Sequence, residues 1–239
     1  MRDDPFQAGL AFGALGDHIR ENYLQFEYTR GTRQEAAFLT QALDLPTEAR
    51  VLDLACGLGR HEALLPWQVV GADLSRGLLE VAAQGGLSRA AWLQAEARHL
   101  PLASASLDGA FSVCEGAFGL LPDDAAHEHL LAEVRRVVRP GAPFLLSAMS
   151  VFAMCDDDAF DPLTNTMSDH YDLPAPGGGP IRTFRLTTRA FAPREVIAMA
   201  QRTGWQVEAV WGGISGAYEM RPLHVRDAEM LVMLRADRA

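Results

Sequence analysis

Short apolar runs and amphipathic stretches alternate along most of the chain. Between Thr32 and Leu43, Ala36, Leu39 and Leu43 recur at helical spacing, which predicts a helix with one apolar face. Val51, Leu52 and Leu54 form a run too short for a helix and suited to a buried parallel strand. Gly57 and Gly59 follow, and any helix after them must be brief because Pro66 ends it. A second apolar run, 69–73, ends at Asp73, and residues 75–84 then read as a helix with Ser75 or Asp73 as its cap. Further strands are expected at 91–95, 110–114 and 144–147. Between the last two, Asp123 suits the N-cap of a helix that turns Leu130, Leu131, Val134 and Val138 inward. Pro193 with Glu195 fits the first turn of a late helix, and residues 205–211 and 230–235 read as two closing strands. Such alternation predicts an α/β fold, a Rossmann-like, doubly wound and mainly parallel sheet with helices on both faces.

Two regions depart from that alternation. Residues 149–189 carry an acidic run at 156–158 and a turn-rich stretch, Pro174-Ala175-Pro176-Gly177-Gly178-Gly179-Pro180. The glycines and prolines mark turns between short antiparallel strands at 170–173 and 181–187. An insertion at this place is expected to sit over the cleft and select the substrate. Residues 1–45 read as a lid plus the first long helix. Tyr23, Phe26, Tyr28, Arg30 and Arg33 cluster ahead of that helix or at its start.

The chemistry concentrates just after the first strand. Asp53 puts a carboxylate near the end of a buried strand, which is costly without partners. Gly57 and Gly59 remove side chains where backbone can approach a ligand. In an open α/β sheet that place is the crevice outside the carboxyl ends of the strands. Asp73 ends the second strand, where a carboxylate can accept both hydroxyls of a ribose. The combination argues for a nucleoside-bearing cofactor. A nicotinamide fingerprint wants a third glycine, and Glu62 stands there instead, so an NAD(P)-dependent oxidoreductase is the weaker reading.

Taken in order, VLDLACGLGRH, VVGAD, AEARHLPL, SLDGAF and VVRPG resemble the class I S-adenosylmethionine-dependent methyltransferases. The likeness is to the small-molecule group with an L-D-x-A-C-G-x-G-R-H first motif, and it covers roughly Tyr23 to the C-terminus. It implies a seven-stranded sheet with the last strand antiparallel. It also implies S-adenosyl-L-methionine, with Asp53, Ala55, Cys56, Gly57 and Gly59 at its methionine end. Asp73 and Leu74 would then face the ribose, Glu96 and Ala97 the adenine, with Cys114 beside the cleft. Tyr28 and Arg33 are the further candidates to close over the methionine end, since a guanidinium matches a carboxylate, and His61 is another cofactor contact. The implied reaction is direct in-line methyl transfer to an N or O atom of a small molecule, with Glu115 the candidate to position the acceptor or take a proton. The chain departs from the family in having Ala55 where a glycine is usual and Glu96 where Asp is usual. A non-catalytic cofactor-binding scaffold or regulatory protein is the alternative of a different class.

Composition narrows the partners. The chain has 239 residues, suited to one α/β domain, and a net charge of −10. Its 21 basic residues are all Arg. That balance lacks the basic footprint of nucleic-acid binding, which agrees with the small-molecule substrate that the resemblance implies. The first residues, MRDDPFQAG, lack the basic and apolar regions of a signal peptide, and no apolar run is long enough to span a bilayer. Cys56, Cys114 and Cys155 show no metal-like spacing and are expected to be reduced, in a cytoplasmic setting, with no metal. The acidic run near 156–161 reads as a solvated loop. Nothing in the sequence sets the oligomeric state.

Overall fold

The computed structural model describes residues 7–114, 116–155 and 157–238, with side chains from Ala11 onward. Glu115, the candidate acid or base, and Asp156 therefore lie outside the described residues. The central sheet contains β1 (Arg50–Leu54), β2 (Gln68–Asp73), β3 (Ala90–Gln94), β4 (Gly109–Ser112), β5 (Pro143–Met149), β9 (Trp205–Gly213) and β10 (Glu229–Ala236). A second sheet is built from β6 (Phe160–Asp161), β7 (Thr166–Pro174) and β8 (Ile181–Arg189). The helices are α1 (Gln7–Ile19), α2 (Thr32–Leu43), α3 (Arg76–Gln84), α4 (Asp124–Val137), the single turn α5 (Val151–Met154) and α6 (Pro193–Arg202). Among the described residues no helix is long and apolar enough to cross a membrane.

The seven strands lie in the order β3-β2-β1-β4-β5-β10-β9, with β10 antiparallel to both neighbours. The order reverses at β1 and β4, whose carboxyl ends open the crevice expected of a doubly wound sheet. Strand periodicity sends side chains alternately to the two faces. Leu52, Ala110, Leu146 and Val232 pack with Leu130, Leu131 and Val134 of α4 and Val196 of α6. Val51, Phe111, Leu145 and Leu231 pack on the other face with Ala36, Phe38, Leu39 and Leu43 of α2. Each fully buried Leu or Val contributes about 1.5–3 kcal/mol.

Helix starts follow their caps. Ser75 accepts from Leu78 N to open α3, and Asp123 accepts from Ala126 N to open α4. α1, which the sequence pattern did not mark, docks across the start of α3. Its Asp17 accepts from Ser75 Oγ at 2.8 Å and from Gly77 N at 2.7 Å. A Cβ on Gly77 would sit 2.7 Å from Asp17 Cα, so this close approach requires glycine. The brief helix expected after Gly59 does not form. Residues 55–64 run as successive turns apart from Cys56, because left-handed residues at Ala55, Gly57 and Gly59 and then Pro66 leave too few helical positions. The antiparallel pair of the insertion is longer than its turn signals implied, with β7 and β8 paired from Thr166↔Arg189 to Pro174↔Ile181.

Candidate functional site

A cavity of about 310 Å³ opens at the carboxyl ends of β1, β2, β3 and β4. The turn after β1 forms one wall. Ala55 and Cys56 both donate backbone N–H to Ala72 O, at 2.7 and 3.2 Å, tying the turn to the second strand. Ala55 has φ +62°, a left-handed conformation that costs a non-glycine residue roughly 1–2 kcal/mol. The position explains the usual glycine. Gly59, at φ +74°, faces Trp92, where a Cβ would come within 2.2 Å of the indole.

Asp73 anchors the turn. Its two carboxylate oxygens accept from Gly57 N at 2.8 Å and Ser75 N at 2.7 Å. Burial pushes its pKa up to about 6, against the lowering effect of these N–H donors. Asp53 is 3% exposed, and its Oδ2 has no hydrogen-bond partner among the described residues, with His61 Nδ1 3.9 Å away. The neighbouring imidazole offsets part of the cost of burying this carboxylate, and the oxygen still has room for a hydrogen-bond donor from outside the chain. Glu62 is buried beside it with both oxygens unpartnered, and burial together with the Asp53 charge holds its carboxyl well above the usual carboxylate range. Glu62 is thus kept neutral at pH 7.

The cavity floor is a buried charged cluster. Glu35 of α2 is 0% exposed. It accepts from Arg60 Nη1, from His61 Nε2 at 2.8 Å and from Gly216 N at 2.6 Å. Burial alone would raise its pKa, but His61 and Arg60 more than offset that and bring it to about 2. Burial likewise opposes a charge on His61, but Asp53, Cys114 and Glu35 hold its pKa well above the ordinary value. These three groups thus favour the imidazolium form of His61. Arg60 Nη2 also donates to Cys114 Sγ at 2.8 Å. Cys114, at φ +58°, donates its N–H to Tyr218 Oη at 3.0 Å, and that hydroxyl donates to Glu229 Oε2 at 3.0 Å. Segments that are distant in sequence are thereby locked around one pocket.

Asp53, Ala55, Cys56, Gly57, His61, Asp73, Leu74, Glu96, Ala97 and Cys114 all line this cavity. Three expected residues do not. Gly59 packs behind the turn against Trp92. Tyr28 lines a second, adjoining cavity. Arg33 stands exposed on α2, and the guanidinium groups in the lining are those of Arg60 and Arg98. Physically, residue 33 falls on the outer face of α2, while residue 60 follows the glycine turn into the floor. Glu96 is committed to neighbours: it accepts from Arg98 Nε at 2.9 Å and pairs with His99 Nδ1 at 3.0 Å. Glu35 had a readable signal, a charge one turn before Leu39 on the apolar face of α2. Tyr218 and Glu229 had none, since only the tertiary fold brings them to β4.

Residues 51–141 match the sequence profile of the family described as "Methyltransferase domain". The chain is similar to Methyltransferase GfsG of Streptomyces halstedii, 32% identical over 130 residues, 51% of this chain and 45% of that protein. The match thus spans about half the length of that relative. Among solved structures, the fold is similar to the CcbJ methyltransferase from Streptomyces caelestis. There the TM-score is 0.77 at 20% identity, covering 93% of this chain and 97% of that one. It is also similar to an S-adenosylmethionine-dependent methyltransferase from Clostridium acetobutylicum, with TM-score 0.72 at 14% identity, covering 95% and 98%. The family match thus falls on the strands and turns that form the cavity, and the seven-stranded sheet around it has the fold of the S-adenosylmethionine-dependent methyltransferases.

Proposed function

We propose that the protein binds S-adenosyl-L-methionine in the 310 Å³ cavity and transfers its methyl group to an N or O atom of a small-molecule acceptor. The observation that carries the reading is the Oδ2 of buried Asp53, which lines that cavity together with Asp73 and has no hydrogen-bond donor among the described residues. An ammonium group is the donor that this atom lacks, and a methionine end supplies one. Arg60 and His61 place two cations in the same lining, which suits the accompanying carboxylate. Asp73 spends one interaction of each oxygen on the backbone and retains lone pairs for two ribose hydroxyls. The apolar walls at Leu54, Val113, Leu120 and Leu121 suit a purine and exclude water.

When bound, the cofactor supplies a methyl group already activated on a sulfonium. The chain's own work is then to align donor and acceptor and keep water out. Phe12, Tyr23, Cys114 and Leu120 are shared with the adjoining cavity, so they bound the passage through which an acceptor would meet the methyl group. The N-terminal segment serves in this reading as a lid, since its Phe12, Gly13 and Tyr23 line the cavity. The test is transfer of a radiolabelled methyl group across a broad panel of amines and alcohols, with the demethylated cofactor quantified in parallel. Stoichiometric labelling of an acceptor is the expected result. Tight cofactor binding with no transfer to any acceptor would point to a scaffold instead.

A further inference from the structure

The cavity adjoining the cofactor site is about 190 Å³ and has a distinct chemical character. One side is aromatic. Phe26 and Tyr28 stack with centroids 5.4 Å apart and planes 9° apart, and Tyr23 meets each edge-on at 5.7 Å. The opposite side is the β7–β8 hairpin. Its alternation is clean: Met167, Asp169, Tyr171, Leu186 and Thr188 face the cavity, whereas Ser168 and Thr187, hydrogen-bonded across the strands at 2.7 Å, lie on the other face. Asp169 is the only charged side chain in the lining among the described residues. Its cross-strand neighbour is Leu186, and its one described side-chain contact is a long 3.5 Å approach from Tyr171 Oη. Neither Arg182 nor Arg185 is in the lining. Arg185 pairs with His170 in register on the far face, and Arg182 lies over Phe184 outside the lining.

A carboxylate set among aromatic rings is the arrangement that selects a cation, because ring faces attract positive charge and one acid completes the pairing. A hydroxylated neutral molecule would gain little from the rings and would leave Asp169 without a counter-charge. Three methionines, Met149, Met154 and Met167, complete an adaptable apolar wall. We propose that this second cavity is the acceptor site and that it takes an apolar molecule carrying a basic amine, with Asp169 as the residue that recognises the ammonium. The inference rests on the methyltransferase reading and narrows its acceptor class. It also relocates specificity. The turn at 174–180 contributes nothing to the lining, and is held away against the N-terminal segment by Asn22 Nδ2 on Pro174 O at 3.2 Å. Selection thus belongs to the strands of the insertion and not to its tip.

The test uses matched probes on protein saturated with S-adenosylhomocysteine: benzylamine, phenethylamine and tryptamine against the corresponding alcohols, by calorimetry. The intact chain should bind at least one amine about tenfold or more tightly than its alcohol. Asp169→Asn should reduce that preference to about twofold or less. Affinity for S-adenosylhomocysteine should be unchanged in the variant, which also reports that it is folded. Equal binding of amine and alcohol, no binding of any probe, or full preference retained by Asp169→Asn would overturn the proposal. If S-adenosylhomocysteine itself does not bind the intact chain, the methyltransferase reading falls first and is recognised separately.

Discussion

Replacing Glu35 by Gln probes whether the cavity floor depends on one buried charge. Glu35 is fully buried and compensates two cations, Arg60 and His61, while also accepting from Gly216 N. Its pKa falls from 4.5 to about 2 in the fold, which corresponds to about 3 kcal/mol favouring the charged form. Removing one member of a buried ion pair typically costs about 3–5 kcal/mol, because the other charge stays buried. Gln keeps the volume but loses the charge, and its single carbonyl oxygen cannot serve all three donors. The variant should therefore be about 3 kcal/mol less stable at pH 7, with a Tm lower by roughly 6–12 °C for a domain of this size. Urea unfolding followed by tryptophan fluorescence is a suitable assay, since Trp67 and Trp205 are each 1% exposed. The pH dependence provides a second check. A depressed carboxylate pKa stabilises the fold above the unfolded value near 4.5, and the benefit disappears as pH falls through about 2. The gap between parent and variant should thus shrink to about half or less by pH 3. A gap below about 1 kcal/mol at pH 7, or one that does not shrink on acidification, would refute the reasoning.

Other outcomes follow from the same geometry. Tyr218→Phe removes the acceptor for Cys114 N and the donor to Glu229, and should cost about 1–3 kcal/mol by chemical denaturation. Gly59→Ala drives a methyl into Trp92 at a left-handed φ, so it should lower stability by about 2–4 kcal/mol. Circular dichroism melts would show a destabilised but still folded protein. Asp73 has a raised pKa of about 6, so its charge costs fold stability as pH rises from 3.8 through 6. The charged form is the one that accepts ribose hydroxyls. Affinity for S-adenosylhomocysteine should therefore rise about tenfold between pH 5 and pH 7, and a flat profile would argue against that role for Asp73.

How much was legible in the sequence depended on whether a feature is local. Helix α2 falls where the Ala36, Leu39 and Leu43 spacing predicts, and the Ser75 and Asp123 caps act as their residue types suggest. The strands were legible because a buried parallel strand must be continuously apolar. The turn after β1 was misread as the start of a helix, since two glycines satisfy either geometry until the backbone angles are known. α1 was missed because its docking depends on the close approach of Asp17 to Gly77, a contact between remote segments. In the site, residues on strand ends were identifiable by position, including Asp53, Asp73 and Cys114. The guanidinium was assigned to residue 33, which faces solvent, whereas the floor draws it from Arg60. Tyr218 and Glu229 come from the far end of the chain, and no local pattern could mark them.

Methyl transfer by this chain requires that the cavity at the ends of β1 and β2 hold the cofactor. The most direct test is calorimetric titration of the full chain with S-adenosylmethionine, S-adenosylhomocysteine and NAD, beside Asp73→Asn and Asp73→Ala. One molecule of either S-adenosyl compound should bind per chain, NAD should not, and both substitutions should weaken binding while the protein remains folded by circular dichroism. Absence of binding by both S-adenosyl compounds, or a preference for NAD, would contradict the central claim.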